Sequence, residues 1–352
     1  MSDISKLDTN FAVNTNIEKD DIKFYDVDDS PFKVYGIFRE NGKYRRMPES
    51  IAKNVSEGVY GLHSNTAGGR VRFVTDSSYV AIYAEMENLG KMAHFPFAGS
   101  IGFDMYEKTD DGDVYIHTFM PSVDIVDGYE SLKEFGDKKM RELTINFPLY
   151  SDVKHLYIGL EDGATLDAAP EYKITKPVVY YGSSITQGGC ASRPGNAYEA
   201  ILTRRFDCDH INLGFSGNAK AEDVMIDYLK NLDMSIFVLD YDHNAPTPDH
   251  LRNTHEKLFK AVRECHPDLL VIMMTRPKYY LTPEEEERRA IVETTYTNAV
   301  NAGDKNVYFI DGKMLTGEDI RESGTVDNCH PTDLGFFAMA RAVADVMAKI
   351  LN

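Results

Sequence analysis

Apolar and polar positions alternate along this chain in two different rhythms. Between about Pro31 and Leu160 the apolar runs are short and broken. Val71-Arg72-Phe73-Val74, Tyr79-Val80-Ala81-Ile82-Tyr83, Val114-Tyr115-Ile116-His117-Thr118-Phe119, Leu143-Thr144-Ile145-Asn146-Phe147 and Leu156-Tyr157-Ile158-Gly159-Leu160 are rich in Val, Ile, Tyr and Thr, and Gly, Asp, Asn or Ser bound them. Half-buried strands joined by turns produce this pattern, because successive side chains point to opposite faces. With no helical period among them, the runs predict an all-β sandwich or jelly roll.

After about Lys176 the rhythm becomes strand, loop, helix. Pro177–Tyr181, His210–Leu213, Ser235–Asp240, Leu269–Thr275 and Asn306–Asp311 read as strands. Helical patterns follow over Asn196–Phe206, Glu222–Leu232, Pro248–Cys265, Pro283–Val300 and Gly335–Leu351. Five nearly continuous apolar strands alternating with helices predict a parallel, doubly wound α/β sheet covered on both faces. The polar stretch Asp162–Lys176 reads as a linker, which divides the chain into a sandwich domain over 1–165 and an α/β domain over 176–352.

Composition narrows the function. Lys plus Arg is 38 against 56 for Asp plus Glu, a formal net charge of −18, so nucleic acid and anionic membranes are poor partners. No apolar run is long enough to span a bilayer. The first residues, MSDISKLDTNFAVNTNIEKDD, lack the pattern of a secretory leader, which points to a cytoplasmic protein. Cys190, Cys208, Cys265 and Cys329 are scattered, with no C-x-x-C and no tight His/Cys grouping, so they read as reduced, mostly buried thiols and not as a zinc site or disulfide framework. Trp is absent, whereas Tyr numbers 21 and Phe 18, so any aromatic platform is built of Tyr or Phe.

Ligands of an open parallel sheet bind at the carboxyl ends of its strands. After the first strand comes Gly182-Ser183-Ser184-Ile185-Thr186-Gln187-Gly188-Gly189, which lacks both nucleotide-binding glycine signatures. A serine in such a turn can project its hydroxyl from the sheet rim, close to backbone N–H groups that serve an oxyanion. Gly214-Phe215-Ser216-Gly217-Asn218 follows the second strand, and Asp240-Tyr241-Asp242-His243-Asn244 ends the third. Asn244 offers an amide donor; the D-x-D spacing of Asp240 and Asp242 alternatively suits metal-assisted phosphate chemistry. Ahead of the last helix, Asp327-Asn328-Cys329-His330 places a carboxylate where it can orient an imidazole.

Taken together, these segments resemble the four blocks of the SGNH (GDSL-type) hydrolase superfamily, in the right order. The resemblance covers about 177–352. It implies a flavodoxin-like sheet, Ser184 as nucleophile, His330 as base, Asp327 as orienting acid, and an oxyanion hole made by Ser184, Gly217 and Asn244. Two positions depart from the family pattern: Ser183 stands where Asp is usual, and Asn244 lies further past its strand. Gly102-Phe103-Asp104-Met105-Tyr106 is similar to the G-x-D-L-Y segment of a sandwich domain that precedes some of these hydrolases.

The resemblance implies a serine esterase, similar to carbohydrate esterases that remove acetyl groups, working through an acyl-enzyme with no metal and no organic cofactor. Asp242, His243, Arg276, Tyr279 and His94 are candidates for substrate contact at the rim. The expected partner is a small or oligosaccharide acetyl ester, with no nucleic acid or membrane; a homo-oligomer stays open. Two alternatives also stay open: an esterase for another small acyl ester, and a non-catalytic carbohydrate-binding or assembly protein on the hydrolase fold.

Overall fold

The computed structural model describes residues 15–351; the first residues, on which the leader reading falls, lie outside them. Pro177-Val178-Val179-Tyr180-Tyr181 shows why the parallel strands read as unbroken apolar runs. Val179 and Tyr181 enter the core on one face of the sheet, Val178 and Tyr180 the core on the other. The five strands are Ile174–Gly182, Cys208–Gly214, Ile236–Asp240, Leu270–Met274 and Val307–Ile310. All pair in parallel, in the spatial order second, first, third, fourth, fifth. The order reverses beside the first strand, so the loops after the first, second and third strands meet at one rim.

Helices Asp223–Leu229, Pro248–Cys265 and Pro283–Asn301 cover one face. Tyr198–Phe206, Gly312–Ile320 and Asp333–Leu351 belong to the other layer, where the last helix packs on both of its companions. Gly312–Ile320 is a helix that the sequence pattern does not reveal. It is short, and Asp311 caps it by accepting from Lys313 N–H.

The preceding region is two facing antiparallel sheets. One holds Ile22–Asp26, Asp152–Glu161, Tyr79–Glu87 and Gly128–Glu134 in that order; the other is built on Arg70–Thr75, Arg141–Asn146, Phe103–Thr109 and Gly112–Phe119. Val71, Phe73, Leu143 and Ile145 of one sheet meet Val80, Ile82, Leu156 and Ile158 of the other in a shared core. Two expectations need correction. Helices Glu49–Val55 and Glu57–Leu62 interrupt the β region, and their Ala52 and Val59 belong to the core of the parallel sheet. The stretch read as a linker is partly strand. Leu166–Asp167 pairs with Thr75 and Val74, and the first parallel strand already starts at Ile174.

The G-x-D-x-Y segment lies where the two regions meet. Asp104 is fully buried, with Asn146 Nδ2 2.9 Å from one carboxylate oxygen and Arg193 Nη1 at 3.0 Å and Gly195 N–H at 2.9 Å from the other. Tyr106 contacts Arg193 and lies under the Arg204 guanidinium at 4.0 Å. Gly195 is required by this approach: a Cβ there would stand 2.5 Å from the Tyr106 ring and 2.6 Å from the Asp104 carboxylate. Arg46 makes a second tie, donating to Gly214 O at 2.6 Å and Leu62 O at 2.7 Å. Removing one partner of a buried charged pair strands the others. Asp104→Ala is therefore expected to destabilise the protein by about 3–5 kcal/mol, read from denaturant unfolding; an unchanged midpoint would mean that the motif ties nothing.

Candidate active site

The turn after the first strand is fastened by its own polar groups. Ser183 N–H donates to Asp240 O at 3.1 Å, Gln187 N–H to Ser183 O at 3.0 Å, and Gly189 N–H to Ser184 O at 2.8 Å. Ser183 is fully buried, and its hydroxyl accepts from Ile185 N–H at 3.2 Å, which gives the residue standing in the usual Asp position a local capping task. From the sandwich side, Tyr150 OH donates to Ser184 O at 3.0 Å. The fully buried Gln187 donates to Asn65 Oδ1 at 3.0 Å and accepts from Ser216 N–H at 3.0 Å, joining the first and second strand-end loops to the sandwich. Sequence reasoning missed Tyr150, Asn65 and Gln187, whose partners lie far away in the chain.

The Asp-x-x-His spacing has a direct geometric meaning. Oδ1 of Asp327 accepts the backbone N–H of Cys329 at 3.1 Å and of His330 at 2.8 Å. That turn brings Oδ2 to 2.8 Å from Nδ1 of the His330 ring. A carboxylate only accepts, so Nδ1 carries the proton and Nε2 presents a lone pair. Nε2 lies 2.9 Å from Oγ of Ser184. Although partial burial opposes the Asp327 charge, the His330 N–H and ring hold this carboxyl below its usual range. Gly189 lets the imidazole sit close: a Cβ there would be 2.8 Å from Ser184 O and 3.3 Å from His330 Cδ2.

Around this line of three side chains the rim carries unspent donors. Neither Ser184 N–H nor Gly217 N–H has an acceptor among the described residues. Asn244 Oδ1 accepts from Ala219 N–H at 3.3 Å, which turns the amide toward the second loop and leaves Nδ2 without an acceptor among the described residues. Backbone and amide N–H groups left unpaired at a strand-end rim are suited to hold a developing negative oxygen.

The other candidates divide. Asp242 is buried against Arg276, Nε to Oδ2 3.2 Å, and Arg276 also reaches Glu285 at 2.9 Å, so this pair lies within a network beneath the rim. His243 Nδ1 lies 3.9 Å from Cys329 Sγ, and burial pulls this imidazole down to about 4, which keeps it neutral. Tyr279 packs edge-on against Tyr280, ring centroids 4.9 Å apart, and Tyr280 is exposed. His94 is exposed and reaches the site, its ring 5.5 Å from that of His330. Asp240 is buried against Thr186 Oγ1 at 3.1 Å, and burial raises its carboxyl well above the usual range. Among the described residues, Asp240 and Asp242 form no metal-ligating group, so the D-x-D reading finds no support. All four cysteines are free, with Cys190 and Cys208 buried and Cys265 exposed, contrary to the mostly buried expectation only at Cys265 and the half-exposed Cys329. A cavity of about 790 Å³ opens beside Pro267, Asp268 and Asn306 at the amino ends of the strands, and its lining includes none of the candidate residues.

Residues 175–348 match the model of the GDSL-like lipase/acylhydrolase family, and residues 22–166 match the GxDLY model, described as the N-terminus of SGNH-hydrolase-type esterases. No curated protein sequence matches. Among solved structures, the chain is similar to a GDSL-like lipase from Bacteroides ovatus (27% identity, TM-score 0.84, covering 94% of this chain and 98% of that one). It shares its fold with the salicylyl-acyltransferase of a tetracycline biosynthetic pathway (18%, 0.76, 95% and 98%). The fold also matches an acetyl xylan esterase from the rumen bacterium Butyrivibrio proteoclasticus (10%, 0.59, 94% and 98%). Serine, imidazole and carboxylate stand in line on a parallel-sheet rim, behind a matching sandwich, and residues 175–348 belong to the GDSL-like lipase/acylhydrolase family of ester hydrolases.

Proposed function

We propose that this protein is a serine esterase that removes acetyl groups from acetylated carbohydrates, with Ser184, His330 and Asp327 as its catalytic triad. The observation that carries the reading is the continuous line Ser184 Oγ, His330 Nε2, His330 Nδ1, Asp327 Oδ2, with separations of 2.9 Å and 2.8 Å at its two hydrogen bonds. Nε2 takes the hydroxyl proton as Oγ attacks the ester carbonyl, and Asp327 stabilises the imidazolium that forms. The N–H groups of Ser184 and Gly217 and the amide of Asn244 receive the tetrahedral oxyanion. His330 then protonates the departing sugar hydroxyl. Water, deprotonated by the same imidazole, attacks the acyl-enzyme and releases acetate.

The acetylated-carbohydrate half of the reading is supported by the acetyl xylan esterase of the same fold and by a Tyr279–Tyr280 pair after the fourth strand, in a chain without Trp. Asp242 and Arg276 support the rim from beneath.

Acetate release from a panel of acetylated oligosaccharides tests both halves. Wild type is expected to release acetate and Ser184→Ala to release none; activity near wild type in Ser184→Ala would remove the nucleophile, and release from simple acetyl esters but from no carbohydrate would remove the substrate class. Asn244→Ala should lower kcat by roughly 10²–10³ with a small change in KM; an unchanged kcat would take Asn244 out of the oxyanion hole. Tyr150→Phe, which frees Ser184 O from its sandwich partner, should cost about one net hydrogen bond of stability, roughly 0.5–1.5 kcal/mol, read from denaturant unfolding, while circular dichroism stays native. An unchanged unfolding midpoint would leave Tyr150 with a packing role only.

A further inference from the structure

Along the chain histidine and cysteine lie close only in pairs, Cys208 with His210, Cys265 with His266 and Cys329 with His330, yet the fold gathers a different set. One ring nitrogen each from His94 and His330, and Sγ of Cys190, all lie within 4.8 Å of one another. They come from three places: a sandwich loop, the turn that presents Ser184, and the loop before the last helix. His94 is held in place by its neighbour, since Phe95 is buried with its ring edge-on to Tyr150 at 5.2 Å. Cys190 adopts φ +76°, a left-handed conformation that side chains other than glycine rarely take. The esterase reaction uses neither the thiol nor the second imidazole.

We propose that His94, Cys190 and His330 form a binding site for a thiophilic divalent cation of the zinc class, and that the bound ion switches the esterase off. Two imidazoles and a thiolate are a donor set that zinc-class ions prefer over magnesium or calcium. Bond lengths of ~2.0–2.1 Å to nitrogen and ~2.3 Å to sulfur need ligand atoms roughly 3.3–3.7 Å apart. Small side-chain rotations, freest at the exposed His94, close that difference. Nδ1 of His330 stays on Asp327, the carboxylate–histidine–metal arrangement that orients a ligating ring. Nε2 is then the ligating atom, and a lone pair given to a metal no longer accepts the Ser184 proton. The balance is simple: the Cys190 thiol loses its proton to water as the sulfur–metal bond forms, both imidazoles contribute lone pairs, and nothing is oxidised. The inhibition rests on the reading of His330 as base; the binding does not.

Metal-stripped protein titrated with Co²⁺ is expected to develop a thiolate-to-cobalt charge-transfer band that Zn²⁺ displaces. Cys190→Gly, which suits the left-handed backbone, should abolish the band, and Cys329→Ala should retain it. Zn²⁺, but not Mg²⁺, should inhibit p-nitrophenyl acetate hydrolysis, with EDTA restoring it. Both Cys190→Gly and His94→Gln should raise the half-inhibitory Zn²⁺ concentration by about tenfold or more, each measured against its own metal-free rate. No band in wild type, or a band that survives Cys190→Gly and vanishes in Cys329→Ala, overturns the site. The latter result would assign the ion to Asp327, Cys329 and His330, which also lie within 4.8 Å of one another. Inhibition unmoved by either variant overturns the switch. A persistent band with no effect of Ser184→Ala on turnover would sink the esterase reading and leave the binding site standing.

Discussion

A turn that presents a reactive serine must satisfy its own peptide groups and still leave one N–H unspent. Everything around Ser184 serves that requirement. Its carbonyl is occupied twice, by Gly189 N–H from within the turn and by Tyr150 OH from the sandwich. Ser183 N–H is used by Asp240 O, and Thr186 O accepts from Asn212 Nδ2 at 2.6 Å. The N–H of Ser184 keeps no partner within the turn. A buried backbone donor without an acceptor is costly, so it persists only at the rim, where water or substrate supplies one.

The sandwich is therefore part of the site. Its Tyr150 and Asn65 brace the Ser184 turn, Arg46 holds the carbonyl that ends the second strand, and Asp104 seats the chain that leads from the Ser184 turn into the next helix. His94 reaches the His330 imidazole from the same side. An SGNH sheet packed in this way gains a wall and a set of fixed anchor points from outside its own fold. The same proximity gives two histidines and a cysteine their common locus beside Ser184.

Legibility in the sequence followed locality. Ser184, His330 and Asp327 stand in short blocks whose internal spacing does the work, as the Asp327 turn illustrates by engaging two N–H groups and a ring within four residues. The parallel strands were plain because both faces are buried. By contrast, Gly128–Glu134 is half-buried at every position but its last, so no alternation marks it as a strand. Helices Glu49–Val55 and Glu57–Leu62 are too short for a period to emerge. Tyr150, Gln187 and Asp104 could not be assigned because their partners are 34, 122 and 91 residues away. Only the folded chain brings those pairs together, and the His94–Cys190–His330 group is hidden for the same reason.

On the proposed mechanism the geometry at this rim activates Ser184 and no other nucleophile. Labelling with a fluorophosphonate, which forms a stable adduct only with an activated serine, tests it most directly when the modified peptide is mapped by mass spectrometry. A single adduct on Ser184, loss of activity in proportion to labelling, and no adduct when His330 is replaced by alanine are expected. An adduct at another residue, or full activity after Ser184 is modified, would contradict it.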